Sequence, residues 1–119
     1  MLLLFFVGCN IFDNNDEHLT LPSYVNSAMV TSTSSSQVSF IAKASWHNGC
    51  GRFARADVTQ NGLVFQIIVY GTQKKNDICT QAFIEFDAPV TIHIPSMGTY
   101  TFKFWRSDTS SFDTTFTIQ

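Results

Sequence analysis

The fold is decided by residues 98–105, which read G-T-Y-T-F-K-F-W. Aromatic residues at positions 100, 102 and 104 alternate there with polar residues at positions 101 and 103. That spacing is typical of a β-strand with one buried face. The preceding segment, Pro95-Ser96-Met97-Gly98, has the composition of a turn. The stretch therefore predicts a half-buried strand that follows a tight turn.

The same alternation runs outward from this stretch in both directions. Val38–Trp46 repeats it, and Asn61-Gly62 is the residue pair that suits a two-residue hairpin turn. The predicted strands lie at 38–46, 52–59, 63–71, 79–87 with a continuation at 89–94, 100–105 and 112–118. Together with an earlier strand after Leu21, they predict an all-β domain over residues 21–119, a β-sandwich of about 7–8 antiparallel strands.

The composition limits the function classes. The 119 residues suffice for one domain, 14% of them are aromatic and only 13% are charged. The net charge of -2 gives no basis for nucleic-acid binding, which needs a basic surface. We expect no nucleic-acid partner.

The N-terminal residues resemble a bacterial lipobox. Met1–Asn10 reads M-L-L-L-F-F-V-G-C-N, an uncharged apolar run that ends in Gly8-Cys9. The run is too short to span a bilayer and is typical of a signal-peptide core. The resemblance of Phe6–Cys9 implies that residues 1–8 are a lipoprotein signal peptide and that Cys9 is lipidated. Phe6 stands where the lipobox usually has Leu. No basic residue precedes the apolar run, and this favours a start codon upstream of Met1. The alternative is a buried strand with a free Cys9.

Residues 9–20 are expected to be the lipidated cysteine and a flexible tether. They are polar and acidic, and they reach at most about 35 Å when extended. By resemblance to lipoprotein sorting rules, Asn10 rather than Asp after the cysteine favours the outer membrane over the inner. The expected location is the bacterial cell envelope, with the membrane as a partner through the N-terminal lipid.

Lipidation of Cys9 would leave Cys50 and Cys79 as an even pair. An even pair in an exported chain predicts a disulfide. The alternatives are two free thiols or a metal site, although the sequence has no Cys-x-x-Cys and no His pair at ligand spacing. We expect no metal and no cofactor.

The chain resembles the immunoglobulin-like and fibronectin III-like domains of bacterial envelope proteins. The resemblance is carried by Gly98–Phe102 and by Trp46, which lies on an early strand and is expected to face inward. The resemblance covers residues 21–119 and implies a tyrosine corner at Tyr100. It implies nothing about function. Position 102 is Phe and not Cys, so Cys50 and Cys79 would not form the inter-sheet bridge of antibody domains.

The sequence offers no catalytic constellation. No nucleophile motif is present, and Glu85 and Asp87 share one outward strand face rather than facing each other across a cleft. A hydrolase would need His47 or His93 beside a carboxylate or a serine in a pocket. The third histidine, His18, falls in the expected tether. We therefore expect a protein that is not an enzyme.

Trp105 and Tyr70 are the aromatic residues expected to face outward. Outward rings on a sheet stack on sugars or anchor a protein partner, and the alternative is cross-strand packing. The leading hypothesis is a non-enzymatic envelope lipoprotein with a sandwich that serves as an accessory, assembly or adhesion module. The second is a surface glycan-binding module that uses Trp105 and Tyr70, with an envelope protein or a glycan as partner.

Overall fold

A computed structural model describes residues 18–119, and these residues form eight β-strands. The strands are β1 (His18–Pro22), β2 (Val25–Thr33), β3 (Gln37–Trp46), β4 (Arg52–Asn61), β5 (Val64–Lys74), β6 (Ile84–His93), β7 (Gly98–Ser107) and β8 (Ser110–Ile118). Across this part of the chain there is no helix long and apolar enough to cross a membrane. The lipobox, Cys9 and most of the expected tether lie outside the described residues.

The strands form two sheets. The first is β2-β3-β6, and the second runs β4-β5-β7-β8, with β1 on the same edge of β5 as β7. Neighbouring strands are antiparallel except β5 and β7, which run parallel from Val64 opposite Thr101 to Ile67 opposite Phe104. The predicted all-β sandwich is confirmed, with one parallel pair among its otherwise antiparallel strands.

Aromatic side chains fill the space between the sheets. The alternating residues of β3, from Val38 to Trp46, are all buried, as the sequence predicts. The ring of Phe40 makes an edge contact with Phe102 at 5.0 Å between centroids, and Phe65 stacks on the other side of Phe102 at 5.4 Å. Such pairs stabilise a core by about 0.5–1.5 kcal/mol beyond their area burial.

Two local predictions concern turns. The hairpin predicted at Asn61-Gly62 is present, but its two-residue loop is Gly62-Leu63, because Asn61 is the last residue of β4 and pairs with Val64. Gly62 has a φ of 64° in the hairpin between β4 and β5, a backbone conformation that side chains with a Cβ disfavour. Tyr100, 1% exposed, donates its hydroxyl proton to the carbonyl of Ser96. That contact is the tyrosine corner that the resemblance implies.

Residues 79–83 differ from the prediction, because they form a loop rather than the start of a strand. The disulfide holds Cys79 against Cys50, away from the sheet. Strand β6 begins at Ile84 and runs without a break through Pro89 to His93. Proline is tolerated here because β6 is an edge strand, where the missing N–H leaves no ladder bond unmade.

The beginning of the domain also differs from the prediction. His18–Thr20 were expected to belong to the tether, yet they form the first part of β1 and pair with β5. His18 itself is exposed. Leu63, the first residue of the predicted strand 63–71, is 56% exposed because it lies in the hairpin before β5 begins. The sandwich therefore includes at least residues 18–20 in addition to the predicted 21–119.

Candidate binding surface

The outer face of the β4-β5-β7-β8 sheet carries both aromatic residues singled out from the sequence. Ile67, Val69 and Phe104 point into the core, so Ile68, Tyr70 and Trp105 point outward. Phe104 lies opposite Ile67 in the parallel pair, and Trp105 therefore lies beside Ile68. Tyr70 is two residues further along β5, about 7 Å from Ile68. The two rings share one face of one sheet.

Trp105 lines a groove of about 340 Å³ on this face. Strands β5 and β7 form the floor of the groove. One wall is formed by the turn between β7, which ends at Ser107, and β8. The lining residues are Gln66, Ile67, Ile68, Lys103, Trp105, Ser107, Asp108, Thr109, Ser110 and Ser111. The groove thus combines an indole ring and an aliphatic side chain with hydroxyl and amide groups that both donate and accept hydrogen bonds.

The lysine in the groove is already paired. The Nζ atom of Lys103 donates to Oδ2 of Asp113 at 2.9 Å, across the β7–β8 pair. The hydroxyl of Ser111 donates to the other oxygen of the same carboxylate. These bonds, first that from Ser111 and then that from Lys103, hold the pKa of Asp113 below its ordinary value. With Lys103 paired to Asp113, the remaining charged group in the lining is the carboxylate of Asp108, so the groove does not favour an anionic ligand.

A β-bulge shapes the wall of the groove. The β7–β8 register shifts between Trp105 and Ser107, so Arg106 is an extra residue. Its guanidinium group reaches across to the other sheet and donates to the carbonyls of Val25 at 2.8 Å and Asn26 at 2.9 Å. Trp105 faces outward by the alternation of β7, and Arg106 at the bulge ties the two sheets together.

Tyr70 lies outside the groove. The guanidinium carbon of Arg55 sits 4.0 Å from the centroid of its ring, in cation–π contact, and Arg55 also bonds to Asp57 at 3.2 Å. The predicted pair therefore shares a face, but only Trp105 lines the groove. Sequence reasoning missed every other lining residue, namely residues 66–68 of β5, Lys103 and residues 107–111 around the β7–β8 turn. The available signal was the polar turn S-D-T-S-S at residues 107–111, two positions after the outward Trp105.

The Cys50–Cys79 disulfide is confirmed, with a Cα–Cα distance of 5.5 Å. It joins the loop after β3 to the loop before β6. Beneath it, the side-chain oxygen of buried Gln73 accepts hydrogen bonds from the indole N–H of Trp46 and the amide of Asn48, both at 2.7 Å. The indole N–H of Trp46 therefore has its acceptor in a residue 27 positions away in sequence, and no local pattern predicts this contact.

The histidines do not converge. His47 follows the end of β3, whereas His93 lies opposite Gln37 at the other end, about 30 Å away along the sheet. Glu85 accepts a hydrogen bond from Asn26 and Asp87 pairs with Lys43 across the sheet. Within residues 18–119, no three His, Cys, Asp or Glu side chains form a group able to hold a metal ion.

Two packed β-sheets, a tyrosine corner and an outward-facing groove define a domain of the β-sandwich class. Residues 40–118 match the ORF11 beta-sandwich domain, and this range spans about two thirds of the chain. The chain therefore belongs to the ORF11 beta-sandwich domain family. The matched range includes the disulfide and the whole groove. No curated protein and no solved structure matches the chain.

Proposed function

We propose that this chain is a lipid-anchored protein of the bacterial cell envelope and that its sandwich is a non-enzymatic binding module. In that role the domain serves as an accessory, assembly or adhesion module, held by Cys9 to the outer membrane in preference to the inner. The lipobox resemblance of Phe6–Cys9 supports the anchor. The Cys50–Cys79 disulfide supports an exported, oxidising location.

The groove beside Trp105 is the observation that carries the binding role. Binding sites are concave, and they combine apolar surface with a few placed polar groups. The groove has this composition, and it lies on a sheet face rather than in a mobile loop, so its aromatic floor is held in place.

The anchor is tested by growing cells that express the chain with labelled palmitate. We expect label in the wild-type protein and none in Cys9→Ala. We also expect Cys9→Ala to leave the membrane fraction, while Cys50→Ala stays there. Equal membrane binding of wild-type protein and Cys9→Ala would refute the anchor.

Glycan binding is the second candidate function, and the Trp105 groove favours it. The face of an indole ring stacks on the apolar face of a sugar ring, and the hydroxyl and amide groups around it match sugar hydroxyls. Because Lys103 is paired with Asp113 and Asp108 adds a carboxylate to the lining, the groove favours an uncharged saccharide over an acidic one. Because Tyr70 is covered by Arg55, the stacking is assigned to Trp105.

A glycan array tests this second candidate. We expect binding by the wild-type protein, loss of binding in Trp105→Ala, and no change in Phe83→Ala, which removes an exposed aromatic ring outside the groove. An array with no hit, or binding that survives Trp105→Ala, contradicts glycan binding at this site. Neither result bears on the lipid anchor.

A further inference from the structure

The loop between β5 and β6 carries an unusual apolar surface. Ile78 is 101% exposed and Phe83 is 78% exposed, the two highest values among the large apolar side chains of residues 18–119. Together they leave an aliphatic and an aromatic side chain in water within six residues of each other. Both side chains lie at the end of the sandwich where β5 ends and β6 begins.

The loop is fixed by three contacts. The disulfide joins Cys79 to Cys50, the N–H of Gly49 donates to the carbonyl of Thr80 at 3.0 Å, and the N–H of Asp77 donates to Lys74 at 3.4 Å. These bonds hold the backbone on both sides of Ile78. The exposure of the apolar side chains is therefore a property of a tethered loop and not of a free chain end.

The register of β1 places the N-terminal segment beside this loop. His18 lies opposite Lys74, the residue at which β5 ends and the loop begins. Nine residue steps separate Cys9 from His18, which span at most about 30 Å. If Cys9 carries lipid, as proposed above, the exposed loop belongs to the end of the domain that is closest to the bilayer.

Within residues 74–83, two lysines and one aspartate give a net positive charge, which favours contact with an anionic phospholipid surface. Lys74 and Lys75 precede Ile78, and Asp77 is the one acidic side chain in residues 74–83. Lysine stems lie along apolar surface while the ammonium groups reach headgroup phosphates. Ile78 and Phe83 supply the apolar part of the same contact, as in other proteins that rest on a membrane.

We propose that the 74–83 loop rests on the membrane that holds Cys9, with Ile78 and Phe83 in the boundary between headgroups and acyl chains. This inference depends on the proposed lipid anchor. The loop then acts as a second contact that fixes the orientation of the domain. The opposite end of the sandwich, which carries Leu63 and Met97, points away from the lipid.

The test uses the lipidated full-length protein in vesicles of phosphatidylethanolamine and phosphatidylglycerol with brominated acyl chains. Two variants, Phe83→Trp and Met97→Trp, each add one indole at an exposed apolar position, 78% and 73% exposed in the wild-type protein. The emission of wild-type protein, which has Trp46 and Trp105, is subtracted. We expect the bromines to quench the indole added at position 83 and not the one added at position 97.

A second substitution tests whether the quenching depends on Ile78. Ile78→Asp, placed in the Phe83→Trp protein, should remove most of the quenching, while Leu63→Asp in the same protein should leave it unchanged. Flotation of the same samples separates the two proposals. Protein that floats with the vesicles but shows equal, weak quenching at positions 83 and 97 overturns the loop contact alone. Protein that does not float overturns the anchor and, with it, this inference.

Discussion

The hydroxyl of Tyr100 donates a hydrogen bond of 2.8 Å to the carbonyl of Ser96, four residues earlier in the chain. The ring is buried between the sheets, so the bond closes the turn between β6 and β7 from the inside. It links the last turn before β7 to the aromatic core, where the ring of Tyr100 lies 5.5 Å from that of Phe65. This geometry makes the turn part of the folded core.

Removing that hydroxyl should measurably destabilise the fold. We expect Tyr100→Phe to lower the free energy of unfolding by about 1 kcal/mol, because the ring still packs but the hydrogen bond is lost. Urea unfolding followed by fluorescence measures the change. Tyr24→Phe is the matched control, since Tyr24 is 44% exposed, and we expect no change there. Equal midpoints for wild-type protein and Tyr100→Phe would contradict the prediction.

Gln73→Leu should cost about 2 kcal/mol of unfolding free energy, because it leaves the buried indole N–H of Trp46 without its acceptor. Gln73 is 6% exposed and Trp46 is 3% exposed, so water cannot easily replace the lost bond. Gln66→Leu on the exposed outer face serves as the control and should change stability by less than about 0.5 kcal/mol. If both variants unfold at the same urea concentration, the Gln73 contact does not stabilise the core.

The disulfide should contribute about 3 to 4 kcal/mol, as the chain-entropy model gives for the 29-residue separation of Cys50 and Cys79. Reduction should lower the urea concentration at which half of the wild-type protein is unfolded. The Cys50→Ser, Cys79→Ser double variant should unfold at this lower urea concentration with or without reductant. Intact mass after alkylation should rise by two thiol adducts only when reductant is added first. Two adducts without reductant would show that the bridge is absent, whereas a single adduct would come from a Cys9 that carries no lipid.

The Asp113 carboxyl should titrate below its ordinary pKa of 3.8, because the bonds from Ser111 and Lys103 favour its charged form. Since the folded pKa is the lower one, the resulting stability is present above the unfolded pKa and is lost as the pH falls through the folded value. NMR titration of the carboxyl carbon measures this pKa.

Ser111→Ala should raise the pKa of Asp113 toward 3.8, since the Ser111 hydrogen bond is the largest cause of the shift. Thr115→Ala, two residues beyond Asp113 on the same strand, should leave that pKa unchanged. An unshifted Asp113 in the wild-type protein, or equal effects of the two variants, would contradict the assignment.

Local patterns in the sequence predicted most of the strands because each pattern reports a local property. Alternation from Val38 to Trp46 reports which side of a strand is buried, and Asn61-Gly62 reports backbone angles that glycine tolerates. The tyrosine corner at Tyr100 is also local, since its partner is four residues away. The Cys50–Cys79 disulfide was predicted from cysteine chemistry, because an even number of cysteines in a chain expected to be exported is typical of a disulfide.

The partners of the strands could not be predicted in the same way. The parallel contact of β5 with β7 joins Val64 to Thr101, and no feature of either strand states that the two lie side by side. The groove depends on this contact, because it brings Gln66 and Ile68 next to Trp105. The sequence therefore predicted an outward Trp105 and an outward Tyr70, but not that Arg55 would cover one ring and leave the other in a groove.

The pairing of His18 with Lys74 has a consequence for folding kinetics. Strand β1 cannot join its sheet until β5 exists, and β3 finds its second neighbour only when β6, which places His93 opposite Gln37, has emerged. Contacts between residues so far apart in sequence make folding slow, since long loops must close before any pairing compensates for the lost entropy. The core between the two sheets, which needs Phe102 and Phe104 of β7, is therefore completed only after nearly all of the chain has been synthesised.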